Sequence, residues 1–338
     1  MSHTTLPTSL VESSIVMLRP PYDPLLVPAI EASKIALPEN LNVENLRGTA
    51  DLFGPDKILQ DNPSLEHAEY RVPDLKDGDA EVILSVFRTK NSVETDRPAL
   101  YHVHGGGQVA GNRFTALEIA MGYFAGIDAV FVSVEYRLAP EFRAPAALHD
   151  AYAGLLWTAE HSTELGIDVS KIILYGCSGG GPIAAGSAIL CRNNQKLYPC
   201  ALMLLTPMLD DRDSTVSSKQ FARDGPWCGT TNRMAWDHVL GNERGGPNVS
   251  ELVSPARAKD LAGLPPTFID VGVCEVFRDE AVAFASRLWE SGVSAELHAW
   301  PGGYHGFDML AAGSPLANIA VAAKMSWVKR IVSGTGKK

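Results

Sequence analysis

From residue 98 onward, apolar β-rich runs alternate with helix-patterned segments. That rhythm narrows the possible folds more than any other feature of the chain. Strands are predicted over Ala99–Val103, Ala129–Val134, Lys171–Tyr175, Ala201–Thr206, Thr267–Val271 and Ala295–Trp300. Helices are predicted between and after them, over Thr115–Phe124, Ala146–Glu160, Pro182–Arg192, Asp279–Ser291 and Pro315–Val332. The helix from Asp279 carries Ala281, Phe284, Ala285 and Leu288 at helical spacing, so one face is apolar. Such an alternation predicts an α/β fold, a mainly parallel sheet with helices on both faces. Two strands precede the regular part, Glu69–Val72 and Glu81–Phe87, the second alternating as an edge-proximal strand does. A helix is expected over Leu25–Leu37, between Pro20, Pro21 and Pro24 on one side and Pro38 on the other.

One stretch breaks the rhythm. Residues 207–262 hold Pro, Gly, Asp, Ser and several aromatics without a clean strand, with helices expected near Ser217–Arg223 and Asn232–Leu240. An insertion after a strand of an open α/β sheet sits over the carboxyl edge, where ligands bind. The chain therefore reads as one core, residues 46–206 and 263–338, covered by a cap insertion at 207–262 and an N-terminal cap segment at 1–45.

Charge excludes some partners. There are 29 Lys and Arg against 39 Asp and Glu, a net charge of −10, and the basic residues are scattered. A nucleic-acid binder needs a basic stripe to displace counterions, so that partner is not expected. No run approaches the roughly 20 apolar residues that span a bilayer. The start, Met1-Ser2-His3-Thr4-Thr5, lacks the basic and apolar regions of a secretory signal. The five cysteines are odd in number and form no CxxC pair, so ordinary thiols in a reducing, cytoplasmic setting are expected.

The strongest chemical signal is Gly176-Cys177-Ser178-Gly179-Gly180, directly after the strand ending at Tyr175 and before a helix rich in small residues. A serine on a sharp strand-to-helix turn is exposed at the sheet's edge, and flanking glycines let the chain pack closely around it. The helix N-terminus then points its free N–H groups at the reaction site. A second signal is His104-Gly105-Gly106-Gly107, at the end of another strand. Glycines let backbone N–H groups approach an oxyanion without interference from a Cβ. His102 and His104 form an H-x-H pair, but no further well-spaced ligand accompanies them, and no metal or other cofactor is expected.

The third signal is His305 in Pro301-Gly302-Gly303-Tyr304-His305-Gly306-Phe307, after the last strand. The order serine, acid, histidine is that of a serine hydrolase on an α/β sheet. Three acids compete for the middle role. Asp270 lies inside a strand, and Asp279 sits where a helix N-cap is needed. Glu275 is free in the loop, 30 residues before His305, and is favoured. A glutamate can fix a histidine tautomer as an aspartate does.

Taken together, His104-Gly105-Gly106-Gly107, Tyr136-Arg137-Leu138-Ala139-Pro140-Glu141, the serine elbow, Phe277-Arg278-Asp279-Glu280 and His305-Gly306-Phe307 resemble the hormone-sensitive-lipase-like branch of the α/β-hydrolases, over roughly residues 70–330. The resemblance implies an eight-stranded, mostly parallel sheet with a helical cap, and carboxylesterase activity on short acyl esters. It places Ser178 as nucleophile, His305 as base and Glu275 where the branch usually has Asp. It places Gly106, Gly107 and Gly179 on the oxyanion donors, with Gly105 adjacent. Two more positions depart from the pattern: Cys177 stands where Asp is usual, and Gly179 where Ala is usual.

The resulting expectation is a serine hydrolase that cleaves a carboxylic ester or lactone of a small, largely apolar substrate through an acyl-enzyme. The same three groups also serve lactonisation, acyl transfer or lyase steps, and a receptor-like binder on this scaffold would lack the histidine. Gly105-x-Gly107-x-x-Ala110 matches a loose dinucleotide fingerprint, but Gly179-x-Gly181-x-x-Ala184 matches it equally, so the pattern discriminates poorly. Trp227, Phe221 and Trp236 in the insertion, with Phe277 and Tyr304 near the three groups, are the aromatics expected to wall an apolar substrate pocket, packing of the lid against the body being the alternative for each. Tyr136, Arg137 and Asp150 are expected to brace the scaffold. The last strand and helix offer a surface for a homodimer.

Overall fold

A computed structural model describes residues 18–36, 42–48, 53–73, 75 and 81–334. Eight strands form one sheet: β1 (Leu65–Pro73), β2 (Glu81–Thr89), β3 (Arg97–Val103), β4 (Val130–Glu135), β5 (Ile167–Cys177), β6 (Ala201–Leu205), β7 (Thr267–Gly272) and β8 (Ala295–Trp300). Their order is β1-β2-β4-β3-β5-β6-β7-β8. β1 pairs with β2, and β2 with β4, antiparallel; every later pairing is parallel.

The eight predicted strands are all present, and the differences lie in their ends. β1 begins four residues earlier than its apolar core, because Leu65 to Ala68 pair with β2 across Thr89 to Val86. β5 begins at Ile167, because Arg97 pairs there ahead of the regular β3 register. β3, β6 and β7 are buried along their whole length, as central parallel strands covered on both faces must be.

The helices are α1 (Val27–Ala36), α2 (Val43–Arg47), α3 (Pro55–Asp61), α4 (Leu117–Gly122), α5 (Ala146–Glu160), α6 (Ser162–Leu165), α7 (Gly180–Asn194), α8 (Val216–Gln220), α9 (Gly229–Leu240), α10 (Arg278–Glu290), α11 (Phe307–Leu310) and α12 (Pro315–Gly334). Four short ones, α2, α3, α6 and α11, are too brief to show a helical period in the sequence. α1 lies inside the expected Leu25–Leu37 span, whose last residue falls outside the described residues. α10 buries Ala281, Phe284, Ala285 and Leu288, the stripe its spacing predicts.

Between β6 and β7 there is no strand among the described residues, only α8, α9 and short 3₁₀ turns. α9 starts three residues before its predicted span, with Cys228 in extended conformation at its N-cap. The N-terminal stretch crosses this insertion. Arg19 pairs with Asp224, the Tyr22 hydroxyl donates to Asp224 at 3.0 Å, and Tyr22 meets Tyr304 edge-on at 6.0 Å. Leu26 and Ile30 are buried against Tyr304 and Phe307. The carboxyl ends of β3, β5, β7 and β8 all open onto one edge of the sheet, and the loops bearing His104–Gly107, Ser178, Glu275 and His305 leave from those ends.

Candidate active site

Ser178 follows β5 immediately and has φ +51, a left-handed conformation costly for a residue with a Cβ. Its neighbours hold it there. Its N–H donates to Leu205 O at 2.9 Å, and its carbonyl accepts from Gly181 N at 2.9 Å and Met208 N at 3.1 Å. The outer glycines of the motif are fixed by close approach. A Cβ on Gly176 would lie 2.5 Å from Gly180 O, and one on Gly180 only 2.2 Å from Val103 O. Strand, turn and helix can therefore meet only if both positions lack a side chain.

The glycine loop after β3 is built on its histidine. His104 Nδ1 donates to Gly105 O at 2.7 Å, its ring stacks on Tyr136 at 4.1 Å, and the Tyr136 hydroxyl donates to His104 O at 2.9 Å. Burial pushes this imidazole down to about 4, and that of His102 to about 3, so both are neutral at pH 7. His102 Nδ1 is engaged with Ser133 Oγ at 2.8 Å. The backbone N–H groups of Gly106, Gly107 and Gly179 donate to no protein acceptor among the described residues. Gly179 packs on Gly107 so tightly that a Cβ there would lie 2.5 Å from Gly107 N. Gly105 lies against the serine, its missing Cβ 3.4 Å from Ser178 Cβ. The first helix beyond the loop, α4, starts only at Leu117, so no helix N-terminus faces these glycines from their own segment, as a dinucleotide fingerprint would need.

Glu275 and His305 meet directly. Glu275 Oε2 lies 2.6 Å from His305 Nδ1, and Oε1 accepts the N–H of Gly272 at 2.9 Å. The carboxylate is 1% exposed. Of the three acids considered, Glu275 alone bonds the imidazole. Asp270 is buried with Lys324 (3.1 Å) and accepts from Trp300 Nε1 at 2.5 Å. Asp279 corrects an expectation: it does not cap its own helix, since α10 starts at Arg278 after Phe277. One residue inside the first turn, its carboxylate reaches across instead, accepting Ser217 N of α8 at 2.7 Å and Arg278 Nε at 2.7 Å.

Two of the five expected wall aromatics flank the imidazole, while Phe221 and Trp236 are fully buried in the hydrophobic core and wall no pocket among the described residues. The Phe277 ring meets His305 edge-on at 5.4 Å, and Trp227 lies 6.2 Å from it. Trp227 also abuts the glycine loop, where a Cβ on Gly107 would come within 2.5 Å of its ring. Gly107 thus touches Gly179 on one side and Trp227 on the other, and Trp227 faces His305. Trp227 thus spans from the glycine loop to the imidazole. No hydrogen bond joins Ser178 Oγ to His305 among the described residues; such contacts commonly tighten only when substrate binds. Tyr304 is a correction. It is fully buried among Leu26, Ile30 and Phe307, with its hydroxyl on Leu26 O at 3.4 Å, because the N-terminal stretch covers the face it was expected to present.

Burial pushes the Cys177 thiol up to about 12, so it is protonated and not a competing nucleophile. Arg137 clamps Asp150 through its backbone N–H (2.8 Å) and guanidinium (2.6 Å), the brace expected. Sequence reasoning missed Glu280, a fully buried carboxyl whose Oε1 accepts Leu209 N at 2.6 Å. Burial holds it well above the usual carboxylate range. It also missed the Lys324 ammonium, which joins Asp308 (2.9 Å), three residues past His305, to Asp270. Neither had a local pattern to betray it, since each partner lies on a different element.

Comparison with known proteins defines the class. The alpha/beta hydrolase fold family matches residues 100–309. The chain belongs to that family, and within it is a carboxylesterase-type hydrolase of the hormone-sensitive-lipase-like kind. It is 30% identical to the esterase LipI of Mycobacterium tuberculosis, over 94% of this chain and 97% of that protein. It is 31% identical to the carboxylesterase NlhH of the same organism, over 92% and 97%. Among solved structures, a bacterial heroin esterase superposes with a TM-score of 0.81 at 31% identity, covering 92% of this chain and 98% of that one.

Proposed function

We propose that Ser178, His305 and Glu275 form the catalytic triad of this carboxylic ester hydrolase, working through an acyl-enzyme. The observation that carries the reading is the Glu275–His305 pair at 2.6 Å, together with a serine in left-handed conformation at the turn after β5. Glu275 accepts the Nδ1 proton, which leaves Nε2 of His305 as the base that takes the Ser178 proton. The hydroxyl attacks the ester carbonyl. The developing oxyanion is met by the N–H groups of Gly106, Gly107 and Gly179, with Gly105 backing the serine; such donors supply about 3–4 kcal/mol. His305 then protonates the leaving alkoxide, and water repeats the cycle on the acyl-enzyme. The mechanism uses no cofactor.

The substrate class we infer is a small, largely apolar ester or lactone. Trp227 supports this, since its ring roofs the glycine loop and narrows the space beside the imidazole. The insertion at 207–262 and the N-terminal segment are read as its cap. Ser178→Ala should lower kcat by on the order of 10⁶. The test is a p-nitrophenyl ester chain-length series, run alongside labelling by a serine-reactive phosphonate with mass mapping. Turnover falling with acyl length and label on Ser178 are expected. Wild-type turnover in Ser178→Ala would overturn the nucleophile, and label without ester turnover would overturn hydrolysis as the outcome.

A further inference from the structure

We propose that the chain carries a second binding site, for a small phosphate-bearing anion, at the root of the cap insertion. An open pocket of about 530 Å³ lies there, lined by Arg212, Arg257, Lys259 and Arg287, with Glu251 as its one acid. That volume falls in the range of small-ligand sites. On a chain of net charge −10, four cations around one concavity are against the general trend.

The cations are held in place by contacts behind the pocket. Asp210 grips Arg212 through Nε and Nη2, both at 2.7 Å. Asp211, itself fully buried, grips Arg257 through Nε (2.6 Å) and Nη2 (2.9 Å). Arg287 donates from Nη1 to Ala256 O at 2.9 Å and from Nη2 to Ala258 O. Glu251 is turned toward the backbone N–H of Lys259 at 3.2 Å. Three donors of the lining stay unused: Nη1 of Arg212, Nη1 of Arg257 and Nζ of Lys259 donate to nothing among the described residues. With Asp210, Asp211 and Glu251 counted against the four cations, the site keeps one positive charge.

Guanidinium groups fixed by buried carboxylates lose little freedom when an anion arrives, and their forked donors match phosphate oxygens. A phosphoryl group has enough oxygens to meet three separate donors at once. The lining comes from Arg212 near the start of the insertion, from 249–259 near its end, and from α10 of the core, so a bound anion ties the two ends of the cap to the body. It stabilises without touching the reaction, and the proposal stands independently of the triad.

The test is thermal unfolding of the full chain with pyrophosphate or glycerol 3-phosphate, ionic strength being held constant with sodium chloride. A rise of about 3 °C is expected with pyrophosphate at saturation. A matching rise with glycerol 3-phosphate assigns the site to phosphate esters; its absence assigns it to free phosphates. The doubly substituted chain, Lys259→Glu with Arg212→Gln, should lose the rise while hydrolysing p-nitrophenyl esters as before. No rise beyond the chloride control with either compound, or an undiminished rise in the doubly substituted chain, would overturn the site.

Discussion

Replacing Glu275 by Gln changes one atom of the proposed triad and reads its logic directly. The wild-type carboxylate accepts twice, from Gly272 N at 2.9 Å and from His305 Nδ1 at 2.6 Å. An amide has one acceptor and one donor end. With its oxygen kept on Gly272, its NH₂ faces Nδ1, which must then accept. The ring proton moves to Nε2, and the base that should deprotonate Ser178 is occupied. Turned the other way, the amide sets N–H against the N–H of Gly272 in a buried site, a loss of about 1–3 kcal/mol. The first arrangement is therefore preferred, and it holds the wrong tautomer. Loss of the matched tautomer lowers kcat by about 10⁴, equivalent to about 5 kcal/mol of barrier. The assay is steady-state hydrolysis of p-nitrophenyl butyrate, with circular dichroism and thermal unfolding to show an intact fold. A folded Glu275→Gln enzyme within tenfold of wild-type kcat would refute the acid assignment.

Three more outcomes follow from buried charge. Lys324→Met strands Asp270 and Asp308 without their cation and should cost about 3–5 kcal/mol in urea unfolding; a loss under about 1 kcal/mol would show that the Asp270–Lys324–Asp308 cluster does not stabilise the fold through charge. His102 and His104 are depressed to about 3 and 4, so their stabilising effect is complete above the unfolded value near 6.5 and is lost as pH falls toward the folded values. At pH 5 each should forfeit about 2 kcal/mol, and His102→Gln should flatten the measured slope between pH 6.5 and 5. Glu280 is raised, so its contribution is present at low pH and fades as pH rises above the unfolded carboxyl value. Glu280→Gln keeps the acceptor for Leu209 N and should therefore gain on wild type from pH 5 to pH 8; equal unfolding midpoints at both pH values would count against a protonated carboxyl.

The regular part of the sheet was legible because central parallel strands need unbroken apolar runs, and β3, β6 and β7 have them. The pairing of Glu275 with His305 was legible by exclusion: Asp270 and Asp279 had other work to do, in a strand and at a helix start. That work was only partly foreseen. Asp279 serves α8, 62 residues away in sequence, rather than its own helix, and no local pattern records a partner at that separation. Tyr304 misled for the same reason. A tyrosine beside the expected base looks like a pocket wall until the N-terminal stretch, 278 residues away, is laid over it. Short helices such as α2, α6 and α11 lack the two turns needed to display a period.

The strap formed by residues 19–26 has a consequence for biosynthesis. It is synthesised ahead of each of its anchors: Arg19 waits for Asp224, Asp23 for Gly302, and Leu26 for Tyr304. Contacts of such long sequence separation close after local ones. Until Tyr304 and Phe307 have been synthesised, Leu26 has no apolar partner to dock on, and the surface it covers stays wet. The nascent enzyme therefore carries that seam open until the loop after β8 has emerged, and zipping the strap onto that loop closes it.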